Sequence, residues 1–495
     1  MIYELAVLLA GFVLLTVLVI RGASIFVAAP LCAIAILAFS GADPAMGMAG
    51  PFMTGFADYI RQFYLIFVFG AAFGKLMEAS GAATSIALAV VERLGTRWAC
   101  LSVVLACALL TYGGVSLFVV GFSVFPLAVQ LFRQADLPRR FIPAAMVFGS
   151  ITFTMTSAGS PEIQNLIPIR YLIDANTQEP LTDALAGWPV SLIVAATMFL
   201  LGQLYLEWAI ARERRLGARF EPRPGDAAAA SRSELPDWRR AALPLVVTLL
   251  ALNLLPLVGE RLAEESSEPE RRSRQIPVGH ALRGVPGTRK PESNVLPAER
   301  HRGRSLLLKF RDDPSLAILA GVVTAGVLLR RYVAMPWDVV SHGFINGLTA
   351  IGCTASVVGF GSALRDLPAF ERLVDWVTHL PGDPLVNAAL AVGVIAGIAG
   401  SASGGQGLAL PIVKPIFIDQ LGVAPRALHR IVAIASGSLD SMPANGYLVM
   451  LIRNICGETH GRAYGPIFVV SVLIPLVGTA LAIALFKLVP AWGLM

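Results

Sequence analysis

The chain has 495 residues, with 39 Lys and Arg against 33 Asp and Glu for a formal net charge of +6, 56% hydrophobic residues and 15% charged ones. A soluble globular protein carries about 25% charged residues and about 45–50% apolar ones. Together with a mean hydropathy of +0.69, this excludes a disordered chain, a nucleic-acid binder with a basic face and an ordinary soluble enzyme, and describes a polytopic membrane protein.

At about 20 apolar residues per pass, the composition supplies about ten crossings. The N-terminal run MIYELAVLLAGFVLLTVLVIR has no Lys or Arg ahead of it, so it reads as a retained first helix near 4–20 and not as a cleaved signal. Apolar helices follow near 24–41 and 55–78, then an amphipathic stretch at 82–94. An apolar block at 98–132 is broken at TYGG, and a helix from Pro138 runs into the polar segment TFTMTSAGSPEIQN at 152–165. Helices near 186–206, 241–258 and 314–329 surround a basic loop at 210–240 and a polar segment at 259–313, which is expected to be disordered.

The second half repeats this plan: a helix at 339–363, an amphipathic stretch at 366–380, an apolar block at 384–423 broken at SASGGQG, a helix at 427–440 running into SGSLDSMPANG, and a last helix at 465–490. At a constant offset of 287, Gly74 matches Gly361, Gly113 matches Gly400, Ser116 matches Ser403, and Pro138–Arg139 matches Pro425–Arg426. The punctuation coincides, which suggests two repeats: 1–206 and 314–495, joined by a linker region at 207–313. Placing the arginine-rich short loops on the cytoplasmic side puts 98–132 and 384–423 in opposite orientations, as inverted repeats require. The five cysteines are scattered with no CxxC and read as packing residues. Trp98, Trp188, Trp238, Trp337 and Trp492 fall near expected helix ends, where an aromatic belt belongs.

Irregular backbone at membrane depth survives only inside protein or beside a watery cavity. The four breaks are rich in Gly, Ser, Thr and Asn, and each exposes half-helix ends whose N–H groups suit an anion. They outline one shared site near the midplane, as in transporters with discontinuous helices; the alternative is that small residues only let helices pack closely. The residues read as substrate-binding are Thr111, Gly113, Gly114 and Ser116 in the first break and Thr156, Ser157 and Ser160 in the second. In the third they are Ser401, Ser403, Gly404 and Gly405, and in the fourth Ser436, Ser438 and Asn445.

Ionisable carboxyls at this depth are functional by default. Asp440 and Glu162 are the candidates for carrying a proton, Asp440 alternatively capping the following half-helix or pairing with Arg430 or His429. Lys75 and Lys414 either attract an anion or snorkel to an interface. No Walker motif, GxSxG, HExxH or metal-spaced Cys/His cluster occurs, so transport would be driven by an ion or substrate gradient, without a cofactor or metal. A passive anion channel is an alternative, and an intramembrane enzyme built on Ser401 or Ser403 with His429 is a weaker one.

The stretch TYGGVSLFVVGFSVFPLAVQLFRQADLPRRFIPAAMVFGSITFTMTSAGSPEIQNLIP (111–168), with SASGGQGLALPI (401–412) and HRIVAIASGSLDSMPANGYLVMLI (429–452), resembles the gluconate permease family, within a wider group of ion-coupled transporters. The resemblance covers most of the chain outside 259–313. It implies an all-α multi-pass protein of the bacterial inner membrane, with two inverted repeats, each holding a re-entrant hairpin (about 98–132 and 384–423) and an interrupted helix (about 138–165 and 427–452). It also implies a transport domain moving against a scaffold in elevator fashion, usually in a homodimer. The implied activity is symport of a small hydroxy-carboxylate such as gluconate, coupled to a proton in preference to sodium. The polar segment at 259–313 departs from the family pattern.

Overall fold

The computed structural model describes residues 2–21, 23–223, 235–254, 314–365, 367–370, 372, 381–443 and 445–495. Among the described residues the chain is helical throughout, with one isolated bridge between Ile173 and Pro180. The polar segment at 259–313 lies outside the described residues, as does most of the amphipathic stretch at 366–380.

The first half starts with α1 (Ile2–Ile20) and α2 (Ile25–Phe39). A long rod, α3 (Pro44–Ala79), comes next, then α4 (Ala82–Leu94) and α5 (Ala99–Tyr112). The axis turns by 107° between Ala82–Leu94 and Thr96–Tyr112, at Gly95, whose φ of +70° is open to glycine. After a four-residue gap come α6 (Leu117–Gln134) and α7 (Ile142–Val147), the latter continuing as a wider turn over Phe148–Thr152. Then α8 (Ile163–Tyr171) and α9 (Trp188–Arg215) complete the half.

Residues 238–254 form α10. Helices α11 (Pro314–Leu328) and α12 (Pro336–Arg365) open the second half. Helices α13 (Pro384–Ala399) and α14 (Ala402–Lys414, continued over Pro415–Gln420) follow. The chain ends through α15 (Pro425–Leu439), α16 (Gly446–Met450, continued over Leu451–Ile455) and α17 (His460–Leu488). The order of rod, hairpin, interrupted helix and long closing helix thus occurs twice.

Among the described residues four helices, α3, α9, α12 and α17, are long and apolar enough to cross a bilayer, or five spans if the bent pair Ala82–Leu94 and Thr96–Tyr112 is one. This is fewer than the composition alone suggests, because much of the apolar sequence is spent in half-length pieces. Helix α5 has 14 residues, about 20 Å at 1.5 Å per residue, short of a hydrocarbon core about 30 Å thick. Helix α5 packs against α6, and α13 against α14, as two pairs of arms. Local chemistry sets their ends: Asp383 Oδ1 accepts the Leu385 N–H at 2.8 Å at the start of α13, and Gly400, at φ +60°, closes its far end.

The backbone of α12 lies against that of α3 through glycines. A Cβ on Gly343 would sit 2.5 Å from Ala72 Cα, and one on Gly347 would sit 2.6 Å from Val68 Cα. Lipid tails supply no hydrophobic drive between helices, so close backbone approach is what holds such a pair. Two apolar clusters meet along this pair. One gathers Leu8, Phe12, Ala33, Phe52, Phe360 and Leu364 from α1, α2, the start of α3 and the end of α12. The other contains both hairpins, both interrupted helices, α9 and α17.

Ion pairs segregate to two ends. Arg462 meets Glu221 at 2.6 Å, Arg223 meets Glu458 at 2.9 Å and Arg219 meets Asp136 at 3.3 Å at the arginine-rich end. Lys487 meets Asp383 at 3.0 Å and Arg426 meets Asp183 at the other. Every one of these pairs joins residues that the loop-charge reading puts on the same side. All five cysteines are free thiols, four of them buried.

Replacing Gly347 by Leu should force α3 and α12 apart and cost about 1–3 kcal/mol, seen as a lower unfolding temperature in detergent. The same change at Gly326, which has nothing within 4 Å of a built Cβ, should leave the temperature unmoved. Equal effects at both positions would contradict glycine-mediated packing.

Candidate functional site

The break between α7 and α8 spans 153–162, and its peptide groups are satisfied one by one. Tyr112 Oη, from the end of α5, donates to the Ala158 carbonyl at 2.8 Å. The Ala158 N–H donates to Ser191 Oγ at 2.8 Å and the Gly159 N–H to the Ala184 carbonyl at 2.7 Å. Asn253 of α10 donates to the Gly159 carbonyl at 3.1 Å, and Asn165 Nδ2 to the Ser160 carbonyl at 2.9 Å. Gly159 holds φ +79°.

The largest contribution to this break comes from the other half of the chain. Arg430, on α15, is 0% exposed. Its Nε donates to the Ala186 carbonyl at 3.0 Å, one terminal nitrogen donates to the Thr156 carbonyl, and the other donates to Asn165 Oδ1 at 3.0 Å and to Ala186 at 2.8 Å. Neighbouring His429 is also fully buried, with Nδ1 2.8 Å from Thr182 Oγ1 and Nε2 3.3 Å from Asn165 Oδ1. Among the described residues no carboxylate comes within ion-pair distance of Arg430; its guanidinium is bonded only to neutral carbonyl and amide oxygens, and the Asp183 carboxylate acts on it from farther off.

The second hairpin and the second interrupted helix meet in the same manner. Asp440 ends α15, and its Oδ2 accepts the Ala402 N–H at 3.3 Å, at the start of α14, while Oδ1 accepts from Ser441 Oγ at 3.0 Å. Asn445 Nδ2 donates to the Asp440 carbonyl at 3.0 Å and to the Gly400 carbonyl at 3.4 Å, and its Oδ1 caps α16 by accepting the Leu448 N–H at 3.1 Å. Asp440 therefore caps the hairpin helix, not the half-helix that follows it, and pairs with neither Arg430 nor His429.

One side chain ties the two halves together at the breaks. Gln406, on α14, donates through Nε2 to Ser436 Oγ at 2.8 Å and to the Gln164 carbonyl at 3.1 Å. Its Oε1 is buried without a hydrogen-bond partner, as are Gln164 Oε1 and Thr111 Oγ1. A buried orphan of this kind costs about 1–3 kcal/mol, and in a native protein it calls for a reason.

The residues singled out from the sequence divide by what they touch. Ser116 is the half-buried start of α6, makes no capping bond, and packs where Gly74 of α3 leaves room. Gly114, at φ +88°, lies against Pro161, beside Glu162, whose half-buried carboxylate has no hydrogen bond or ion pair among the described residues. Ser401 Oγ accepts the Gly404 N–H at 3.2 Å and lies 3.2 Å from Ser403 Oγ. Ser436 takes Gln406, and Thr156 presents its carbonyl to Arg430. Ser160 Oγ accepts the Glu162 N–H at 3.3 Å, while Ser157 and Ser438 turn back onto the Phe153 and Ala435 carbonyls.

Two of the glycines serve packing. A Cβ on Gly405 would sit 2.3 Å from Ala396 Cα of the opposite hairpin arm, and one on Gly113 would sit 2.3 Å from Leu245 Cδ2 of α10. The third break is also shorter than SASGGQG suggests: only Gly400 and Ser401 leave the helix, because Ser401 caps α14 and its glycines let the arms close together. The fourth shortens likewise to 440–445, since α15 runs to Leu439. Lys75 and Lys414 are engaged by Glu78 at 3.1 Å and Asp419 at 2.9 Å.

Arg430, Asn165, Gln406 and Gln164 were not among the expected site residues. An arginine amid LHRIVAIA was the visible signal, because such a charge is expensive inside a membrane and survives only with partners.

Paired hairpins and interrupted helices, joined at their breaks, are the architecture of a membrane transport protein. Residues 3–177 match the family model described as GntP family permease. The chain is 32% identical over 517 residues, covering 99% of it and 100% of the relative, to the uncharacterized transporter YxjC of Bacillus subtilis (strain 168). It is 35% identical over 94 residues, 19% of this chain and 21% of the relative, to the high-affinity gluconate transporter of Escherichia coli (strain K12). A crystal structure of the Alcanivorax borkumensis YdaH transporter, of unusual topology, aligns with a TM-score of 0.56 at 17% identity, covering 91% of this chain and 90% of that one; at that identity the likeness is one of fold. The chain belongs to the GntP family of permeases. It is a multi-pass transporter of the bacterial inner membrane, and its relatives are transporters, not enzymes.

Replacing Arg430 by Met should strand the Thr156 and Ala186 carbonyls, costing at least about 2 kcal/mol. Arg430→Lys should retain part of that. The unfolding temperatures of the two purified variants give the ranking, and a Met variant as stable as the parent would contradict the clamp.

Proposed function

We propose that the protein is a proton-coupled symporter of a small hydroxy-carboxylate, gluconate or a close analogue, bound where the two hairpin tips and the two helix breaks meet. The observation that carries this reading is Arg430, a fully buried cation with no carboxylate in contact among the described residues, six residues before Ser436, about 9 Å along α15. A buried cation without a carboxylate in contact leaves a positive field, and the starts of α6, α8, α14 and α16 add helix N-termini directed toward the breaks. Both favour an anion. The orphaned Gln406 and Gln164 oxygens are acceptors, which suits the hydroxyl groups of a hydroxy acid. Ser116, Ser401 and Ser403 offer further donors without net charge. The gluconate transporter among the relatives has a substrate of this class in its name.

Asp440 is the proposed proton carrier. Its carboxylate bridges α15 and the tip of the second hairpin, so adding a proton there weakens its hold on the Ala402 N–H and alters the tip itself. Glu162 stands beside the first tip and is the second candidate. The two halves then act as inverted repeats: hairpins, interrupted helices, α9 and α17 move together against a scaffold of α1, α2, α3, α11 and α12, and two copies of the chain join through their scaffolds.

In proteoliposomes with an inside-alkaline pH gradient, labelled gluconate or another C3–C6 hydroxy-carboxylate should accumulate above its external concentration and leak out when a protonophore is added. Equilibration without accumulation would establish a passive pathway instead. Asp440→Asn should abolish accumulation while exchange of internal for external substrate continues; pH-driven uptake by this variant would remove Asp440 from the proton path.

A further inference from the structure

A cavity of ≈350 Å³ opens at the arginine-rich end, between the start of α7, the last turns of α9 and the first turns of α17. The breaks do not contribute to it. Its wall holds Arg140, Tyr205, Trp208, Arg212, Glu213 and Arg462, three guanidiniums against one carboxylate. Arg140 is paired with Glu213, and Arg462 with Glu221 at 2.6 Å. Arg212 makes no ion pair among the described residues; its guanidinium carbon lies 5.8 Å from the centre of the Trp208 ring. Arg140 Nε is a buried donor without a hydrogen-bond partner. The wall thus carries a net positive charge with donor capacity left over.

The surroundings say where the counter-anion comes from. Helix α9 turns one row of side chains outward: Leu192, Leu200, Leu204 and Trp208 are 64%, 58%, 66% and 59% exposed. Leu200, Leu204 and Trp208, at successive i, i+4 spacings, share one face, and this row ends at the cavity mouth. On a chain that spans a membrane, an exposed leucine row faces acyl chains, and a tryptophan at its end marks the headgroup level. A soluble anion would use the arginines and ignore the row. A phospholipid would use both.

We propose that this cavity binds the headgroup phosphate of an anionic glycerophospholipid. The phosphate sits among Arg212, Arg462 and Arg140 Nε, the glycerol region rests on Tyr205 and Trp208, and an acyl chain lies along Leu204 and Leu200. Basic pockets between membrane helices on the side facing an anionic leaflet recognise lipids in this way. The bound lipid would join α7, the opening segment of the first interrupted helix, to α9 and α17.

Native mass spectrometry of the full chain in a non-anionic detergent, titrated with phosphatidylglycerol and separately with phosphatidylcholine, tests this. The expected result is a saturable phosphatidylglycerol adduct, absent with phosphatidylcholine and resistant to millimolar inorganic phosphate. Arg212→Gln should weaken it about fivefold, the effect of about one interfacial charge, and Arg212→Lys should restore most of the loss. Because Arg212 is outside any ion pair, the variant is expected to keep the parent's unfolding temperature without lipid, and phosphatidylglycerol should raise that temperature less than in the parent. Equal binding of the two lipids, displacement by inorganic phosphate, or unchanged affinity in Arg212→Gln would each overturn the proposal.

Discussion

A peptide group inside a bilayer has no water to bond with, and every interruption of a helix there must find partners within the protein. This constraint organises the molecule. The 153–162 break is held by Tyr112, Ser191, Asn253, Asn165 and above all Arg430. The 440–445 break is held by Asn445 and by Asp440 itself, which also receives the tip of the second hairpin. Each bond that satisfies a break also fixes its position, so irregular backbone that would be untenable in lipid becomes a rigid, polar surface.

The partners are drawn from distant parts of the chain. Arg430 reaches carbonyls 244 and 274 residues away, and Gln406 reaches across 242 residues to Gln164. The 153–162 break is thus completed in part by the other half of the chain, whereas the 440–445 break finds its partners within the second half. Four half-helix starts border the interruptions and a buried cation holds one of these, features that each favour anions.

Local chemistry made the element boundaries readable in the sequence. The spans Ala82–Leu94 and Pro384–Ala399 begin and end where glycine, proline and capping residues punctuate apolar runs. The same rule misled at SASGGQG, where glycines that look like a break are helical because Ser401 caps α14 and Ala396 occupies the space a side chain at position 405 would need. Asp440 was visible as an isolated carboxyl, but its hydrogen bond to the second hairpin depends on tertiary approach. Arg430 was visible as a charge out of place. Its role was not, because its partners are backbone carbonyls, and carbonyls leave no mark in a sequence.

The central claim is that the four interruptions form one binding surface. Amide hydrogen exchange of the reconstituted protein with and without gluconate, or whichever hydroxy-carboxylate the transport assay selects, measures this most directly. The account predicts that substrate slows exchange together at 113–118, 156–164, 400–406 and 440–448. Protection confined to one half of the chain, or absent from all four segments at saturating substrate, would contradict it.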